Sequence, residues 1–469
     1  MTVTLGVLAY LMLQLSAVAM AWQAVRGART PQGSVGWVVF LLSLPVLAVP
    51  SYLFLGHHRL SGLLVARRDS ARVVTAVQDF SERHRPERAP EMPAGAFEAA
   101  AQFPVVRGNS MTLLVDGRAT FDAIFAAIDG AESYVLVQFY ILRDDRLGRD
   151  LQDRLIAARG RGVSVWVDYD AVGSIGLPES YRRRLVEAGI RVMDPRRDRG
   201  PTRRFQINYR NHRKTVVVDG RVGFIGGHNV GVEYLGESPR FGRWRDTHAA
   251  LRGPVVAQQQ LIFAEDWHYA TGENITDDLS WEPGRHADDM TGLVVATGPG
   301  DGFDTGAMVF FAAIAQARRR VWIATPYFVP DLDTLAALRH AALRGVEVRI
   351  LVPEVIDHRL PWLAAFAYFD EVTAAGVEIW RYTAGFMHQK VILVDDTLAA
   401  VGTANLDNRS FRLNFEAMAL IFDARAAADV EAMLTADFAG AARLERRLSE
   451  QRAGIRYGAP AARLLAPLL

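Results

Sequence analysis

Residues 388–395 read HQKVILVD, and residues 212–219 read HRKTVVVD. In each stretch a lysine stands two residues after a histidine, and an aspartate stands five residues after the lysine. The residues between lysine and aspartate are mostly β-branched and apolar, which predicts a buried strand. Because side chains two apart on a strand point to the same face, each histidine should project together with its lysine.

The lysines of these stretches, Lys214 and Lys390, are the only lysines in the sequence, although lysine and arginine together number 53. Every other basic residue is an arginine. An arginine serves a surface salt bridge equally well, but a compact ammonium and a planar guanidinium are not interchangeable at a tight anion site. The sequence therefore predicts that both positions require lysine.

The length and composition indicate a globular protein of at least two units. The chain has 469 residues, 50% of them hydrophobic, which is more than a single core usually holds. It contains no cysteine, which excludes disulfides and thiolate chemistry. The formal net charge of +1 lacks the strongly basic footprint of nucleic-acid-binding proteins, so nucleic acid is not expected as a partner.

Two uncharged, mostly apolar runs stand near the N-terminus, at residues 3–22 and 35–55. Each is close to the roughly 20 residues that a membrane-spanning helix needs. We therefore predict two transmembrane helices within residues 1–58, the second kinked by Pro45 and Pro50. A signal peptide is the alternative for the first run, but no basic residue precedes it, and the second run would still anchor the chain.

The arginines beside the two runs predict which side of the membrane carries the rest of the chain. Two lie between the runs and four follow the second run: Arg26 and Arg29, then Arg59, Arg67, Arg68 and Arg72. Since positive residues favour the cytoplasmic side, the main body is expected in the cytoplasm.

Beyond a linker at residues 59–104, predicted to be partly helical, the sequence repeats itself. Strand, helix and strand patterns run through ESYVLVQFYIL, LGRDLQDRLIAARGRG and VSVWVDYD, and again through RRVWIATPYFVP, LDTLAALRHAALRG and VEVRILVP. The alternation predicts two α/β units, at residues 105–290 and 291–469, each with a largely buried sheet covered by helices. Duplicated units usually pack about a pseudo-twofold axis, which would bring the two histidines together.

Two imidazoles and two ammonium groups, with no thiol and no obvious metal-ligand cluster, suit chemistry on a phosphodiester. The lysines would hold the phosphate oxygens and offset the charge that grows during the reaction. One of His212 and His388 would attack phosphorus and form a phosphohistidine, while the other protonates the departing alkoxide. The sequence predicts neither a metal ion nor another cofactor, and it does not order the two histidines.

Further polar residues follow each motif in the same register. Asn229 and Asn405 stand seventeen residues after the two histidines, in GGHN and GTAN. Their amides, together with Thr403, are candidates for binding phosphate oxygens. A histidine nucleophile also needs a partner for its second ring nitrogen, and Asp246 in WRDTH and Glu416 in NFEA are the candidates.

The two HxKxxxxD motifs, each followed by G-[GT]-x-N, resemble those of the phospholipase D superfamily. The segments GGHNVGVEYLG, WRDTH, TPYFVPD, GTANLDNRSFRLNFE and the terminal ARLLAPLL, behind two apolar runs, resemble the membrane-anchored bacterial cardiolipin synthases. The resemblance covers nearly the whole chain. It implies an α/β fold of duplicated phospholipase D-like units packed with pseudo-twofold symmetry, preceded by two transmembrane helices in the bacterial inner membrane.

The resemblance also implies a metal-independent transfer. One phosphatidylglycerol would give a phosphatidyl-histidine and release glycerol, and a second would take the phosphatidyl group to form cardiolipin. By analogy His212 is the nucleophile and His388 the acid, while Asp219 and Asp395, the last residues of the two catalytic motifs, support the motif rather than react. Phosphatidylglycerol and membrane lipids are the expected partners, and the sequence indicates no oligomeric state.

Other functions stay open at the level of sequence. A lipid hydrolase would use water as the acceptor, and no residue pattern measures how well water is excluded. A membrane-anchored nuclease or a catalytically silent membrane scaffold is less favoured, because both motifs are intact and the composition lacks a basic groove.

Overall fold

The structure is a computed structural model that describes residues 2–27, 31–56, 80–193, 209–301 and 303–469. Positions 59–79 of the predicted linker lie outside the described residues. The same is true of most arginines on which the predicted orientation rests, namely Arg29, Arg59, Arg67, Arg68 and Arg72.

Helices are present along the whole described chain. In chain order they are α1 (Thr2–Gly27), α2 (Pro31–Ser43), α3 (Pro45–Leu55), α4 (Gly95–Ala101), α5 (Asp116–Asp129), α6 (Arg146–Gly160), α7 (Glu179–Glu187), α8 (Val255–Thr271), α9 (Thr305–Gln316), α10 (Leu332–Leu343), α11 (Arg359–Thr373), α12 (Asn408–Arg412), α13 (Ala424–Ala439) and α14 (Ala453–Arg463).

Strands begin after the N-terminal helices. In chain order they are β1 (Val106–Val115), β2 (Tyr134–Phe139), β3 (Ser164–Tyr169), β4 (Arg191–Val192), β5 (Arg210–Asn211), β6 (Thr215–Val218), β7 (Val222–Gly226), β8 (Trp244–Arg245), β9 (Thr247–Arg252), β10 (Met290–Thr297), β11 (Arg320–Ala324), β12 (Phe328–Val329), β13 (Glu347–Pro353), β14 (Glu378–Tyr382), β15 (Phe386–Met387), β16 (Val391–Val394), β17 (Leu398–Gly402), β18 (Leu406–Asp407), β19 (Asn414–Ile421) and β20 (Ala441–Arg443).

Most strands form one sheet whose two halves repeat the same order outward from the centre. The first half runs β1, β9, β7, β6, β2, β3 and β4, and the second runs β10, β19, β17, β16, β11, β13, β14 and β20. At the centre β1 and β10 pair antiparallel, with Val106 opposite Gly292. The α/β class and the duplication of its unit are confirmed, because each strand of the first half has a counterpart at the same place in the second.

The helices divide between a shared middle layer and two outer layers. Helices α8 and α13 belong to a core cluster that also contains strand residues of both halves, such as Val217 and Leu393. Helices α5, α6 and α7 bury their apolar faces on the outside of the first half, and α9, α10 and α11 do so on the second. The middle layer therefore joins the two units through one continuous apolar core.

Helix α4, near the end of the predicted linker, packs on the second unit. Phe97 is fully buried, and its ring meets that of Phe422 edge-on at 5.6 Å between centroids. Residues 92–105 thus contribute to a core whose other members lie two hundred positions later. The unit boundaries at residues 105–290 and 291–469 stay a prediction.

The N-terminal apolar runs differ in their structure. Of the described helices only one, from Leu5 to Gly27, is long and apolar enough to cross a bilayer, with a mean hydropathy of 1.8. The second run forms α2 and α3, which are separated at Leu44 (φ −136°, ψ 59°). A proline disfavours the helical conformation of the residue before it, so Pro45 breaks this run rather than merely bending it. Two spans are therefore not confirmed.

Candidate active site

The histidine and lysine of each motif lie just before the strand that the sequence predicted to carry them. Strand β6 begins only at Thr215, and β16 begins at Val391. The residues immediately before each histidine instead form the short strands β5 and β15, which leave their own half of the sheet. In this way β5 pairs with β19 of the second unit, and β15 pairs with β8 of the first.

The backbone of each histidine also forms a hydrogen bond with the opposite unit. The N–H of His212 donates to the carbonyl of Phe415 at 3.0 Å, and the N–H of His388 donates to the carbonyl of Arg245 at 2.8 Å. These acceptors directly precede Glu416 and Asp246. Each histidine is therefore held against the segment that carries the carboxylate of the opposite unit.

Each imidazole is paired with that carboxylate. Nδ1 of His212 lies 2.9 Å from both oxygens of Glu416, and Nδ1 of His388 lies 3.0 Å from Oδ2 of Asp246. Both carboxylates are fully buried. Since Nδ1 is occupied in each ring, Nε2 is the nitrogen that can attack a substrate or exchange a proton with it.

The two lysines are buried between these pairs. The ammonium of Lys214 donates to the carbonyl of His212, and that of Lys390 donates to the carbonyl of His388 and lies 2.9 Å from Nδ1 of the same ring. In the part of the chain that the structure describes, neither ammonium lies within ion-pair distance of a carboxylate. Two buried lysine side chains in this arrangement are suited to binding an anion.

Burial dominates the protonation of the site. It lowers the pKa of His212 to about 4 and that of Lys390 to about 8, and it lowers the pKa values of His388 and Lys214 as well. Burial alone would raise the pKa of Glu416, but the facing His212 and Lys214 keep it below its ordinary value. The free site therefore favours neutral imidazoles beside ionised carboxylates.

The aspartates of the two motifs lie at the far ends of the strands, away from the histidines. Asp219 accepts hydrogen bonds from the backbone N–H groups of residues 132, 133 and 134, and Asp395 accepts from those of residues 318, 319 and 320. Both adopt the left-handed conformation, with φ of 54° and 50°. This geometry places the two carboxylates in turns that anchor β6 and β16 to their neighbours, rather than beside the substrate.

The other predicted residues lie close to the site but are engaged with protein groups. Asn229 accepts from the N–H of Ile141 and donates to the hydroxyl of Tyr234. Asn405 donates to Asp407 at 3.1 Å. The predicted contacts of these two amides with substrate stay a prediction.

Thr403 has a different surrounding from the one predicted for a substrate-binding residue. Its hydroxyl donates to Glu416 at 2.6 Å and accepts from the N–H of Ala417 at 2.9 Å. It therefore positions the carboxylate that holds His212. Its contact with substrate also stays a prediction.

Sequence reasoning missed two buried ion pairs beneath the histidines. Arg213 binds Asp266 of α8, and Arg245 binds Asp437 of α13 at 2.7 Å. Gln389, at the position equivalent to Arg213, donates to the same Asp437 at 2.8 Å. The repeat contains a signal for them, because each aspartate precedes an aromatic residue near the end of equivalent helices in EDW and ADF.

Sequence reasoning also missed Tyr140, whose ring meets that of His212 at 4.9 Å between centroids. The ammonium of Lys214 lies 5.3 Å from the centroid of the same ring. No group of three metal-ligating side chains is found among the residues that the structure describes.

Comparison with known proteins places this arrangement in a class. Residues 124–238 and 310–438 both match the family described as "Cardiolipin synthase, PLD-like domain". The chain is 45% identical to cardiolipin synthase A of Pseudomonas aeruginosa over 459 residues, covering 96% of this chain and 93% of that protein. It is 43% identical to cardiolipin synthase A of Pseudomonas putida, covering 98% and 97%. The chain belongs to the cardiolipin synthase family of phospholipase D-like proteins.

Solved structures support the fold. The phosphatidylserine synthase of Haemophilus influenzae matches with a TM-score of 0.59 at 15% identity, covering 80% of this chain and 99% of that one. The polyphosphate kinase of Porphyromonas gingivalis matches with a TM-score of 0.50 at 13% identity, covering 76% and 53%. At these identities the likeness concerns the fold alone.

Proposed function

We propose that the chain is a phosphatidyltransferase that makes cardiolipin and glycerol from two molecules of phosphatidylglycerol. One observation carries the proposal: in a member of the cardiolipin synthase family, two imidazoles, each bound through Nδ1 to a carboxylate of the opposite unit, surround two buried lysines. Such a site suits an anionic phosphodiester with a nucleophile on one side and a proton donor on the other.

In the first step Nε2 of His212 attacks the phosphorus of one phosphatidylglycerol. The new P–N bond replaces the bond from phosphorus to the glycerol oxygen, and Nε2 of His388 supplies the proton that leaves with glycerol. Lys214 and Lys390 hold the phosphate oxygens and balance the charge that develops on them.

In the second step a free hydroxyl of another phosphatidylglycerol attacks the same phosphorus. Its proton passes to His388, the P–N bond breaks, and cardiolipin leaves with His212 regenerated. Water in place of the second lipid would give phosphatidic acid, which is the reaction of the alternative, a lipid hydrolase.

The surroundings of the Glu416 carboxylate support His212 as the nucleophile. Beside His212, the Glu416 carboxylate accepts hydrogen bonds from Thr403, from the hydroxyl of Ser410 and from the amide of Asn414. A carboxylate fixed by several donors holds the imidazole in one orientation, which an in-line attack on phosphorus requires.

The protonation of His388 depends on the substrate. Burial lowers the pKa of this histidine in the free protein, so the neutral ring prevails there. A bound phosphodiester places a negative charge beside it, which favours the protonated form that an acid needs. His388 thus becomes the protonated acid when the phosphodiester is bound beside it.

The N-terminal region supports a membrane location. Large apolar side chains of α1 are exposed along its length, among them Leu8, Leu15 and Trp22. Helices α2 and α3 pack against α1 through a cluster that includes Leu41 and Tyr52. We infer that α1 crosses the inner membrane once and that the broken run of α2 and α3 returns, with the catalytic units in the cytoplasm.

Apolar side chains are also exposed on two segments that neighbour Tyr140 and Asn405. Ile175 is 82% exposed and follows Ser174, whose hydroxyl donates to the carbonyl of Tyr140 at 3.2 Å. Leu332 is 65% exposed and begins α10 just after β12, which pairs with β18 next to Asn405. Exposed apolar groups beside the site suit a substrate that is taken from a bilayer.

The test is incubation of the purified, detergent-solubilised protein with phosphatidylglycerol and no added metal, followed by mass spectrometry of the products. Cardiolipin with an equal amount of glycerol is expected. Phosphatidic acid with glycerol would make the protein a hydrolase, and no turnover would refute phosphatidylglycerol as the substrate. A His212→Ala variant controls for a contaminating activity.

A further inference from the structure

The two histidines have different residues at the equivalent position two places before them. Arg210 precedes His212, whereas Phe386 precedes His388 at the same offset of 176 residues. Phe386 is fully buried against Trp244, with ring centroids 4.6 Å apart. The repeat therefore has a cation beside one histidine and an apolar ring beside the other.

Arg210 is oriented by an aromatic residue of the site. Its Nη1 donates to the hydroxyl of Tyr140 at 3.0 Å, and the ring of Tyr140 packs against His212. Its Nε is buried and has no hydrogen-bond partner among the described residues. A buried guanidinium N–H without a partner is costly unless a ligand accepts from it.

A second arginine approaches from the other unit. Arg409 lies in α12, which leads into β19, and Arg210 pairs with Asn414 of that strand. Arg409 donates through Nη1 to the carbonyl of Leu468 at 3.1 Å. Burial lowers its pKa, and the charge of Arg210 lowers it further, as expected for two guanidinium groups close together.

The position of Arg409 is also asymmetric in the repeat. Its counterpart in the first unit, four residues after Asn229, is Glu233, which pairs with Arg143 at 2.8 Å. Equivalent positions thus carry opposite charges, and both cations are on the His212 side. Like charges that lie close together repel each other, and an anion that contacts both guanidinium groups would offset this repulsion.

We propose that Arg210 and Arg409 bind the phosphate of the acceptor phospholipid. This inference rests on the proposed function. In that reaction the acceptor carries its own phosphodiester one glycerol away from the hydroxyl that attacks the phosphatidyl-His212 intermediate. Guanidinium forks match a phosphate geometrically, and the pair lies beside the histidine where the intermediate forms.

The site gives the transferase its acceptor preference. The acceptor hydroxyl oxygen forms a bond to phosphorus, the bond from phosphorus to Nε2 of His212 breaks, and the hydroxyl proton passes to His388. Water and free glycerol undergo the same exchange of bonds but present no phosphate to the two arginines. The arginines therefore favour transfer over hydrolysis without taking part in bond breaking.

The experiment compares three acceptors with phosphatidylglycerol as the donor: labelled glycerol, labelled glycerol 3-phosphate and a second phosphatidylglycerol. Incorporation of labelled glycerol into phosphatidylglycerol reports the first step and its reversal without an acceptor phosphate. The variants are Arg210→Gln, Arg210→Lys and the control Arg183→Gln, which removes a surface arginine of α7 whose side chain is 66% exposed. Thermal unfolding checks that each variant is folded.

In the wild type, glycerol 3-phosphate should be a better acceptor than glycerol. Arg210→Gln should lower transfer to both phosphate-bearing acceptors by about ten- to a hundredfold, the cost of one charge-assisted contact, and change glycerol exchange by less than about threefold. Arg210→Lys should be intermediate, and Arg183→Gln should leave all three rates unchanged.

A parallel fall of glycerol exchange in Arg210→Gln would overturn the proposal, because the arginine would then serve the donor. Unchanged cardiolipin formation, or no advantage of glycerol 3-phosphate in the wild type, would overturn it as well. Loss of transfer to the lipid but not to glycerol 3-phosphate would also contradict an acceptor phosphate site. A wild-type protein that forms no cardiolipin would instead refute the proposed function, so the two failures are distinguishable.

Discussion

The two histidine sites share one motif but differ in what surrounds it. His212 lies beside Tyr140 and Arg210, and its carboxylate partner Glu416 is held by the hydroxyl of Thr403. At the position of Thr403 the first unit has Gly227, where a side-chain carbon would meet the carboxylate of Asp246 at 2.0 Å. The hydroxyl of Thr403 thus donates to Glu416, whereas Asp246 accepts from the indole N–H of Trp244 at 3.4 Å and is approached closely by the backbone at Gly227.

The side of His388 is also more aromatic and richer in imidazole. The ring of Trp244 lies 5.4 Å from that of His388. Behind it, Nδ1 of His228 lies 3.1 Å from Nδ1 of His248, and both side chains are fully buried. The repeat therefore supplies two identical histidine and lysine pairs, and the differing residues around them are the basis of the different roles that we propose for the two histidines.

The largest effect should come from removing either histidine. His212→Ala removes the proposed nucleophile and should lower cardiolipin formation by about 10⁴-fold or more, whereas His388→Ala removes the proposed acid, which is worth about 10² to 10⁴. With phosphatidyl-p-nitrophenol, whose leaving group needs no proton, only His388→Ala should keep a burst of p-nitrophenol. Peptide mass spectrometry should find the phosphatidyl group on His212, and a label on His388 would reverse the assignment.

The second-largest effect tests the prediction from the sequence that positions 214 and 390 both require lysine. Lys214→Arg and Lys390→Arg keep the charge but place a wider guanidinium in a fully buried position. Each should lower the turnover number by about a hundredfold, since a misplaced donor no longer stabilises the developing charge. Near-normal steady-state rates in either variant would show that charge alone is needed there. Arg183→Lys serves as the surface control.

A smaller effect on the reaction rates should distinguish the role of the Asp246 carboxylate from that of Glu416. Gly227→Ala should displace Asp246 and slow the steps that use His388, while Thr403→Val removes one hydrogen bond to Glu416 and should slow those that use His212 by about tenfold. Single-turnover measurements with the p-nitrophenyl substrate distinguish them, because the burst should slow only in Thr403→Val. Thr403→Ser keeps the hydroxyl and should restore the burst.

The smallest effect is on stability at low pH. Burial lowers the pKa of His228 to about 4, and it also lowers that of His248. The unfolded chain therefore binds more protons than the folded one between about pH 6.5 and 4, and the free energy of unfolding falls as pH decreases through this window. The double variant His228→Ala with His248→Met introduces the residues found at the equivalent positions of the other unit, Ala404 and Met418. It should reduce the decrease in the free energy of unfolding at low pH. Thermal unfolding at pH 7 and pH 5 measures it, and an unchanged slope would contradict the neutral pair.

Much of the candidate site could be predicted from the sequence because its signals are local. The spacing of histidine and lysine, the repeat and the candidates Asp246 and Glu416 are read within short stretches. Asp219 ends the first motif but lies beyond a four-residue strand, at about 3.3 Å for each residue, so it stands apart from His212, and its role in supporting the motif stays a prediction. The second apolar run shows a limit of local signals, because hydropathy detected its length but not the break before Pro45.

The amino-acid sequence is sufficient to predict a duplicated α/β unit with a histidine and a lysine in each copy, and chemistry that suits a phosphodiester. The pairing of His212 with Glu416, 204 residues away, and of His388 with Asp246, 142 residues away, depends on the three-dimensional packing. It also brought Arg210 of the first unit close to Arg409 of the second. These contacts arise because the short strand before each histidine pairs with the opposite unit, and such long-range pairing depends on how two whole cores pack together rather than on any local pattern.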